Sequence, residues 1–162
     1  ILNGGLTEWT STGNELSLEP VNRPTQRLTP KPRPELIAHH DEVLAGIDNE
    51  AVILIDTLPE EFYRGEMSIY PRPGHISGAV NINGLSLLDK TGHLLKQDEL
   101  ALMHSFDRNA RIITYCGGGI VASTYAFVLN RLGFHNVAVY MASLEEWTAN
   151  PNNPMETGEV KQ

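Results

Sequence analysis

Three short apolar runs constrain the fold more than any other feature of this sequence. Residues 51–55, 111–115 and 136–140 are rich in β-branched and aromatic side chains, and their apolar residues occupy successive rather than alternate positions. This pattern is typical of strands that are covered on both faces. Helices are predicted between and after them, so the sequence indicates an α/β domain with a central, mostly parallel sheet and helices on both faces. The predicted helices are residues 35–45, 59–64, 97–106, 121–132 and 143–147, the last capped by Ser143, and residues 79–82 form a further strand.

The amino-terminal part of the chain has a different character. Five prolines stand among Thr, Arg, Lys and Glu between residues 20 and 34, which prevents regular helix and favours extended backbone. We therefore predict a linker over residues 10–34 and one domain of ordinary size over residues 35–162. The chain begins at Ile1 without a signal-like segment, which leads us to expect a fragment or a processed chain.

Composition narrows the classes of partner. The formal net charge is −8 and no cluster of Lys or Arg stands out, which argues against nucleic acid or an anionic membrane as the main partner. No apolar run approaches the ~18 residues of a membrane span. The single cysteine excludes an internal disulfide and a thiolate-rich structural zinc site. His39, His40 and Asp41 have no further ligand cluster at a suitable spacing, so we expect them on a helix surface and predict no metal site.

That single cysteine occupies a chemically distinctive position. Cys116 directly follows the predicted strand 111–115 and precedes three successive glycines and a long predicted helix. Glycines allow a tight turn that points several N–H groups inward, and the start of a helix favours an anion. Because a thiolate is an anion, this geometry favours a reactive, nucleophilic cysteine. The competing interpretation is a small buried hydrophobe beside a simple turn.

Three other mechanisms compete for this loop. A phosphate-ester-hydrolysing Cys-x5-Arg loop would need Arg where Ala122 stands, and a P-loop would need a Gly-Lys-Ser/Thr sequence at the helix start. Neither requirement is met. Gly117-x-Gly119-x-x-Ala122 matches a dinucleotide-binding pattern after a strand, but the strand at 136–140 ends without the acidic residue that would hold the ribose. Dinucleotide binding stays as a second, weaker interpretation.

Several segments taken together resemble the rhodanese family. They are Leu-Ile-Asp at 54–56, Gly-His-Ile-Ser-Gly-Ala at 74–79, Tyr-Cys-Gly-Gly-Gly-Ile at 115–120 and Val-Tyr-Met-Ala-Ser-Leu-Glu-Glu-Trp at 139–147. The chain specifically resembles the carboxyl-terminal, catalytic domain of a tandem-domain sulfurtransferase. Residues 2–9 resemble the end of a first rhodanese domain, so the resemblance implies that residues 1–9 are the tail of that domain, 10–34 a linker and 35–162 a complete second domain.

The resemblance implies a sulfurtransferase that works without cofactor or metal. Cys116 would take the sulfane sulfur of a small-molecule donor such as thiosulfate or 3-mercaptopyruvate and hold it as a persulfide. Cyanide or another thiol would then accept the sulfur. The amino-terminal rhodanese domain of the same protein would be a partner that contributes to the pocket. Backbone N–H groups would cradle the persulfide, from Gly117, Gly118, Gly119, Ile120 and Val121.

The sequence also departs from the family pattern. Positions that often carry donor-binding arginines hold Leu58 and Phe62, and the residues after Cys116 are uncharged. An uncharged loop disfavours the dianion thiosulfate, and it also admits a non-catalytic sulfur-carrier or regulatory role on the same fold. Two arginines in the loop region before His75, Arg64 and Arg72, could replace the missing cations. Asp56 and His75 are expected to play structural roles near the site.

Overall fold

The computed structural model describes residues 1–103 and 105–159. Five strands form one parallel sheet. They are β1 Ile37–Ala38, β2 Val52–Asp56, β4 Val80–Asn81, β5 Arg111–Tyr115 and β6 Val137–Tyr140. Their order in the sheet is β1-β6-β5-β2-β4. Two further strands, β3 His75–Ile76 and β7 Met155–Glu156, form a separate antiparallel pair.

Six helices accompany the strands in the described part of the chain. They are α1 Gly5–Ser11, α2 His40–Gly46, α3 Glu60–Tyr63, α4 Gln97–Leu102, α5 Ile120–Arg131 and α6 Ser143–Trp147, with short 3₁₀ turns at Pro34–Leu36 and Gly84–Leu87. No described helix has the length and apolar character needed to cross a bilayer.

The core lies on both faces of the sheet. Neighbouring residues of a strand point to opposite faces, so Leu54 joins a cluster with α2 and α6 while Ile55 joins a cluster with α4 and α5. Ile113 and Ile112 of β5 divide in the same way. This arrangement explains the continuous apolar runs in the sequence and confirms the predicted α/β fold.

Parallel pairing brings the carboxyl ends of the central strands to one edge of the sheet. Asp56 at the end of β2 pairs in register with both Asn81 at the end of β4 and Tyr115 at the end of β5. The loops that follow β5 and β6 leave from the same edge. Cys116 therefore lies where ligands of parallel sheets are usually bound.

Several predicted boundaries were wrong. The helix expected over 35–45 is a 3₁₀ turn, the two-residue strand β1 and then α2, because Ile37 and Ala38 pair with β6 at the sheet edge. The strand expected at 79–82 spans only Val80–Asn81. Helix α4 ends at Leu102, four residues before the predicted end at residue 106. Residue 104, within the predicted helix, lies outside the described residues. Ser143 begins α6 instead of capping it, because the cap position belongs to Ala142.

The amino-terminal segment is mostly extended. Asn3, which precedes α1, accepts a hydrogen bond from the Leu94 N–H at 2.8 Å, and Glu8 of α1 contacts His93 at 3.2 Å. Residues 15–33 are exposed and form no helix or strand. The prolines predict this absence of regular helix, and the division at residues 9 and 34 stays a prediction.

Candidate active site

Cys116 occupies the turn between β5 and α5. Its side chain is buried, in a small cluster with Ala122 and Val139, against which Leu58 and Val121 also pack. Leu58 is one of the two positions where the family pattern often has a cation. The surroundings of the sulfur are thus apolar on the side of the core.

The first turn of α6 fixes the backbone of this loop through three hydrogen bonds, and a fourth holds the Ser143 hydroxyl in place. The Cys116 N–H donates to the Ser143 hydroxyl at 3.1 Å, and that hydroxyl donates to the Tyr140 carbonyl at 2.8 Å. The Leu144 N–H donates to the Cys116 carbonyl at 3.2 Å, and the Glu145 N–H donates to the Gly117 carbonyl at 3.0 Å. Ser143 is fully buried and has a φ of 53°, the one positive φ outside glycine among the described residues. Its strained backbone is therefore held in place by the contacts that position Cys116.

The glycines permit close approaches that no other residue would allow. Gly119 has a φ of 81°, and a Cβ there would lie 2.7 Å from the Met141 carbonyl oxygen. A Cβ on Gly117 would overlap the Tyr70 hydroxyl. In the described structure the N–H groups of Gly117, Gly118 and Gly119 have no hydrogen-bond acceptor. They precede the free N–H groups of the first turn of α5, so the loop presents several unused donors beside Cys116.

Tyr70 and Glu145 border this loop, and the sequence analysis missed both. The Tyr70 hydroxyl lies against Gly117, and Glu145 Oε2 lies 3.5 Å from the position that a Gly118 Cβ would occupy. Burial raises the pKa of Tyr70, with smaller contributions from the negative charges of Cys116, Asp56 and Glu145. Tyr70 is thus a neutral hydroxyl near neutral pH. It belongs to a Pro/Gly-rich loop, and nothing local in the sequence marks that loop as neighbouring Cys116.

Asp56 lies fully buried at the same edge of the sheet. Its Oδ1 accepts a hydrogen bond from the Leu58 N–H at 2.8 Å, while Oδ2 has no hydrogen-bond partner in the described structure. Burial raises the pKa of Asp56 to about 7, against the lowering effects of the Leu58 N–H and the Tyr115 hydroxyl. Asp56 thus supports the turn after β2 and carries a proton that it gives up near neutral pH.

His75 is buried and joins elements behind the loop. Its Nδ1 lies 2.7 Å from the Tyr63 carbonyl, its ring stacks on the Tyr63 ring at 3.5 Å, and its Nε2 lies 3.7 Å from Glu156. The neighbouring Ile76 N–H donates to the Tyr115 hydroxyl at 3.0 Å. His75 therefore helps to connect α3, β3 and β7 beneath the end of β5.

The two arginines proposed from the sequence are engaged elsewhere. Arg64 forms ion pairs with Glu60 at 3.0 Å and Glu66 at 2.9 Å. Arg72 donates to the carbonyls of Asn150 and Asn153, at 3.0 and 2.8 Å. No described hydrogen bond or ion pair joins either guanidinium to the cysteine loop, and their role in substrate binding stays a prediction. The described residues contain no group of three or more His, Cys, Asp or Glu placed to hold a metal ion.

Comparisons with known proteins agree with this arrangement. Residues 39–150 match the model of the rhodanese-like domain. The chain is 34% identical to a putative thiosulfate sulfurtransferase of Mycobacterium bovis over 98% of its length, and 29% identical to a probable 3-mercaptopyruvate sulfurtransferase of Pseudomonas aeruginosa over 98%. It spans 61% and 58% of those relatives, respectively.

The solved structures that resemble the chain include EanB in complex with small molecules. An EanB variant bound to ergothioneine has a TM-score of 0.86 and 25% identity, covering 99% of this chain and 42% of EanB. A second EanB variant, bound to hercynine, has a TM-score of 0.87 and 25% identity, covering 98% and 41%. In a third EanB structure ergothioneine is covalently linked with a persulfide cysteine.

Proposed function

Since the chain belongs to the rhodanese-like family, we propose that it is the catalytic domain of a sulfurtransferase in which Cys116 carries the transferred sulfur as a persulfide. The observation that carries this proposal is the position of Cys116 at the carboxyl end of β5, followed by a loop of unused N–H donors. The names of the two bacterial relatives support sulfur transfer, and the persulfide cysteine of EanB supports the intermediate.

The first half-reaction charges the cysteine. The Cys116 thiolate attacks the outer sulfur of the donor, and a new S–S bond forms. With thiosulfate, the donor S–S bond breaks and sulfite leaves with the electron pair. With 3-mercaptopyruvate, the C–S bond breaks and the resulting enolate takes a proton to give pyruvate. Both donors leave one sulfur atom on Cys116.

The second half-reaction transfers the outer sulfur of the Cys116 persulfide to an acceptor. A thiolate acceptor or cyanide attacks the outer sulfur of the persulfide, the persulfide S–S bond breaks, and Cys116 leaves as a thiolate. The N–H groups of Gly117 through Val121 are the proposed donors to the anionic outer sulfur. Their effect depends on preorganisation. The hydrogen bond from the Cys116 N–H to Ser143 and those from the N–H groups of Leu144 and Glu145 to the loop supply it.

The loop's lack of cations bears on the donor. Leu58 packs beside Cys116, and both arginines that might have replaced the missing charge have other partners. A dianion gains most from a nearby cation, so this site disfavours thiosulfate more than it disfavours the singly charged 3-mercaptopyruvate. We therefore propose 3-mercaptopyruvate, or another donor of low charge, ahead of thiosulfate.

We also propose that the domain follows another rhodanese domain in its parent protein. The chain spans about three-fifths of the M. bovis relative. Its extended segment 15–33 has the length and exposure of a linker. Several apolar side chains near α1 and on α5 are exposed and suited to a domain contact: Leu2, Leu6, Ile120 and Phe127.

Intact mass spectrometry tests the sulfur chemistry directly. The reduced protein is incubated with thiosulfate or 3-mercaptopyruvate, and Cys116→Ser serves as the matched control because serine keeps the shape and cannot form a persulfide. We expect the wild type to gain the mass of one sulfur atom, to lose it on addition of cyanide, and the variant to gain nothing. A wild type that gains no sulfur from either donor or from inorganic polysulfide contradicts the proposal.

A further inference from the structure

The entrance to the cysteine loop carries negative charge that the sulfur chemistry does not require. The Glu145 carboxylate lies beside Gly118, with Oε2 3.5 Å from the position that a Gly118 Cβ would occupy. The side chain is exposed, and no Lys, Arg or His of the described residues lies within ion-pair distance of it. Its charge is therefore available to a ligand.

The backbone of Glu145 is fixed relative to the loop. Its N–H donates to the Gly117 carbonyl at 3.0 Å, and the preceding residue makes the equivalent contact to Cys116. These bonds hold the Glu145 Cα at a constant position beside the loop, so only the outer bonds of the side chain are free to adjust. The carboxylate therefore stays beside the loop at the second residue after Cys116.

No cationic side chain among the described residues forms an ion pair with Glu145. Tyr70, on the other flank of the loop, keeps its proton because burial raises its pKa. Asp56 behind it can only add negative charge when it ionises. The side chains named beside the loop are therefore neutral or negative. The loop N–H groups favour the anionic sulfur itself, whereas the Glu145 carboxylate favours a positive charge on the part of the ligand that lies beside it.

We propose that Glu145 is a specificity-determining residue that selects sulfur acceptors bearing an ammonium group near their thiol. This inference rests on the proposed persulfide chemistry and adds the class of acceptor to it. The acceptor thiolate attacks the outer sulfur of the Cys116 persulfide, the S–S bond breaks, and Cys116 leaves as a thiolate. The ammonium group meanwhile lies beside the Glu145 carboxylate, and the product is the persulfide of the aminothiol.

Three small thiols of similar shape test the proposal. The protein is charged with inorganic polysulfide, freed of excess reagent, and mixed with 2-mercaptoethylamine, 2-mercaptoethanol or mercaptoacetate, which carry a positive, no and a negative charge. The second-order rate of persulfide loss is followed by intact mass and expressed per thiolate. It is then divided by the rate of the same thiolate with an uncharged small-molecule disulfide, so that differences in thiol acidity and in intrinsic nucleophilicity cancel. Unit charges about 4 Å apart in water correspond to about a fivefold effect.

We expect 2-mercaptoethylamine to react about fivefold faster than 2-mercaptoethanol and mercaptoacetate about fivefold slower. In Glu145→Gln these differences should shrink to less than about twofold, and in Glu145→Lys the order should reverse. Glu50→Gln makes the same change of charge before β2, at the opposite edge of the parallel sheet from Cys116, and should keep the wild-type order. Added salt should weaken the preference in the wild type.

The two proposals fail in different ways. A protein that takes no sulfur from polysulfide overturns the persulfide chemistry, and with it the acceptor preference. A protein that takes sulfur but discharges it to the three thiols at equal rates overturns the role of Glu145 alone. The same conclusion follows if the order is as expected and Glu145→Gln leaves it unchanged.

Discussion

Asp56 is a buried carboxyl group whose protonation should govern how stability changes with pH. It is fully buried, and its Oδ2 lacks a hydrogen-bond partner in the described structure. Asp56→Asn keeps the shape and the acceptor for the Leu58 N–H, and removes the titration. The difference in unfolding free energy between this variant and the wild type isolates Asp56, because every other titrating group is common to both proteins.

The magnitude and the sign of the effect follow from the pKa. Burial raises the pKa of Asp56 from an ordinary 3.8 to about 7. The folded protein therefore binds this proton more tightly than the unfolded chain, so the contribution to stability is fully present below the ordinary pKa and is lost as the pH rises through about 7. At about 1.4 kcal/mol per pKa unit the total is about 4 kcal/mol, of which about 2.5 kcal/mol is lost between pH 5 and pH 8.

Urea unfolding at several values between pH 5 and pH 8 measures this loss. We expect the free energy of unfolding of Asp56→Asn, relative to that of the wild type, to rise by about 2.5 kcal/mol across this range. At pH 8 the variant should be at least as stable as the wild type. A difference that stays constant, or that moves in the opposite direction, would refute the conclusion that Asp56 is protonated in the folded protein below neutral pH.

Two further substitutions test how the cysteine loop is held. Ser143→Ala removes the buried hydroxyl that accepts from the Cys116 N–H and should lower the free energy of unfolding by about 1–3 kcal/mol, measured by urea unfolding; it should also slow persulfide formation. Gly119→Ala places a Cβ against the Met141 carbonyl, and should cost more than the about 1–2 kcal/mol of a left-handed backbone alone. Gly92 has a φ of 82° with open space around it, so Gly92→Ala measures the cost of the left-handed backbone alone. If Gly119→Ala and Gly92→Ala lower the free energy of unfolding equally, the steric argument is contradicted.

The central elements could be predicted because their signals are local. Buried parallel strands need apolar side chains on both faces, so β2, β5 and β6 stand out as continuous runs. Helix α5 is long and ends before Gly133, whose φ of 91° suits a helix terminus. The position of Cys116 followed from the same local pattern, since a strand end, three glycines and a helix start are adjacent in the chain.

Other features could not be predicted because they depend on distant partners. Strand β1 has only two residues and is stabilised by pairing with β6, which its own sequence does not indicate. The sequence analysis therefore assigned these residues to the start of a helix. Ser143 looked like a helix cap by type and spacing, yet its hydroxyl is used by the Cys116 N–H, a residue 27 positions earlier. Tyr70 and Glu145 reach the loop only through the tertiary fold, and neither belongs to a local pattern that would have distinguished it from a surface residue.

The contacts of α6 suggest that the geometry of the loop and its charge can change independently. The hydrogen bonds that hold the loop use the Ser143 hydroxyl and the backbone N–H groups of Leu144 and Glu145. Backbone donors are the same for any residue except proline, so position 145 can hold many side chains while the loop keeps its shape. The Glu145 side chain is exposed and takes no part in that hold. A single substitution at position 145 can therefore change the preferred acceptor without moving the loop N–H groups that stabilise the sulfur on Cys116.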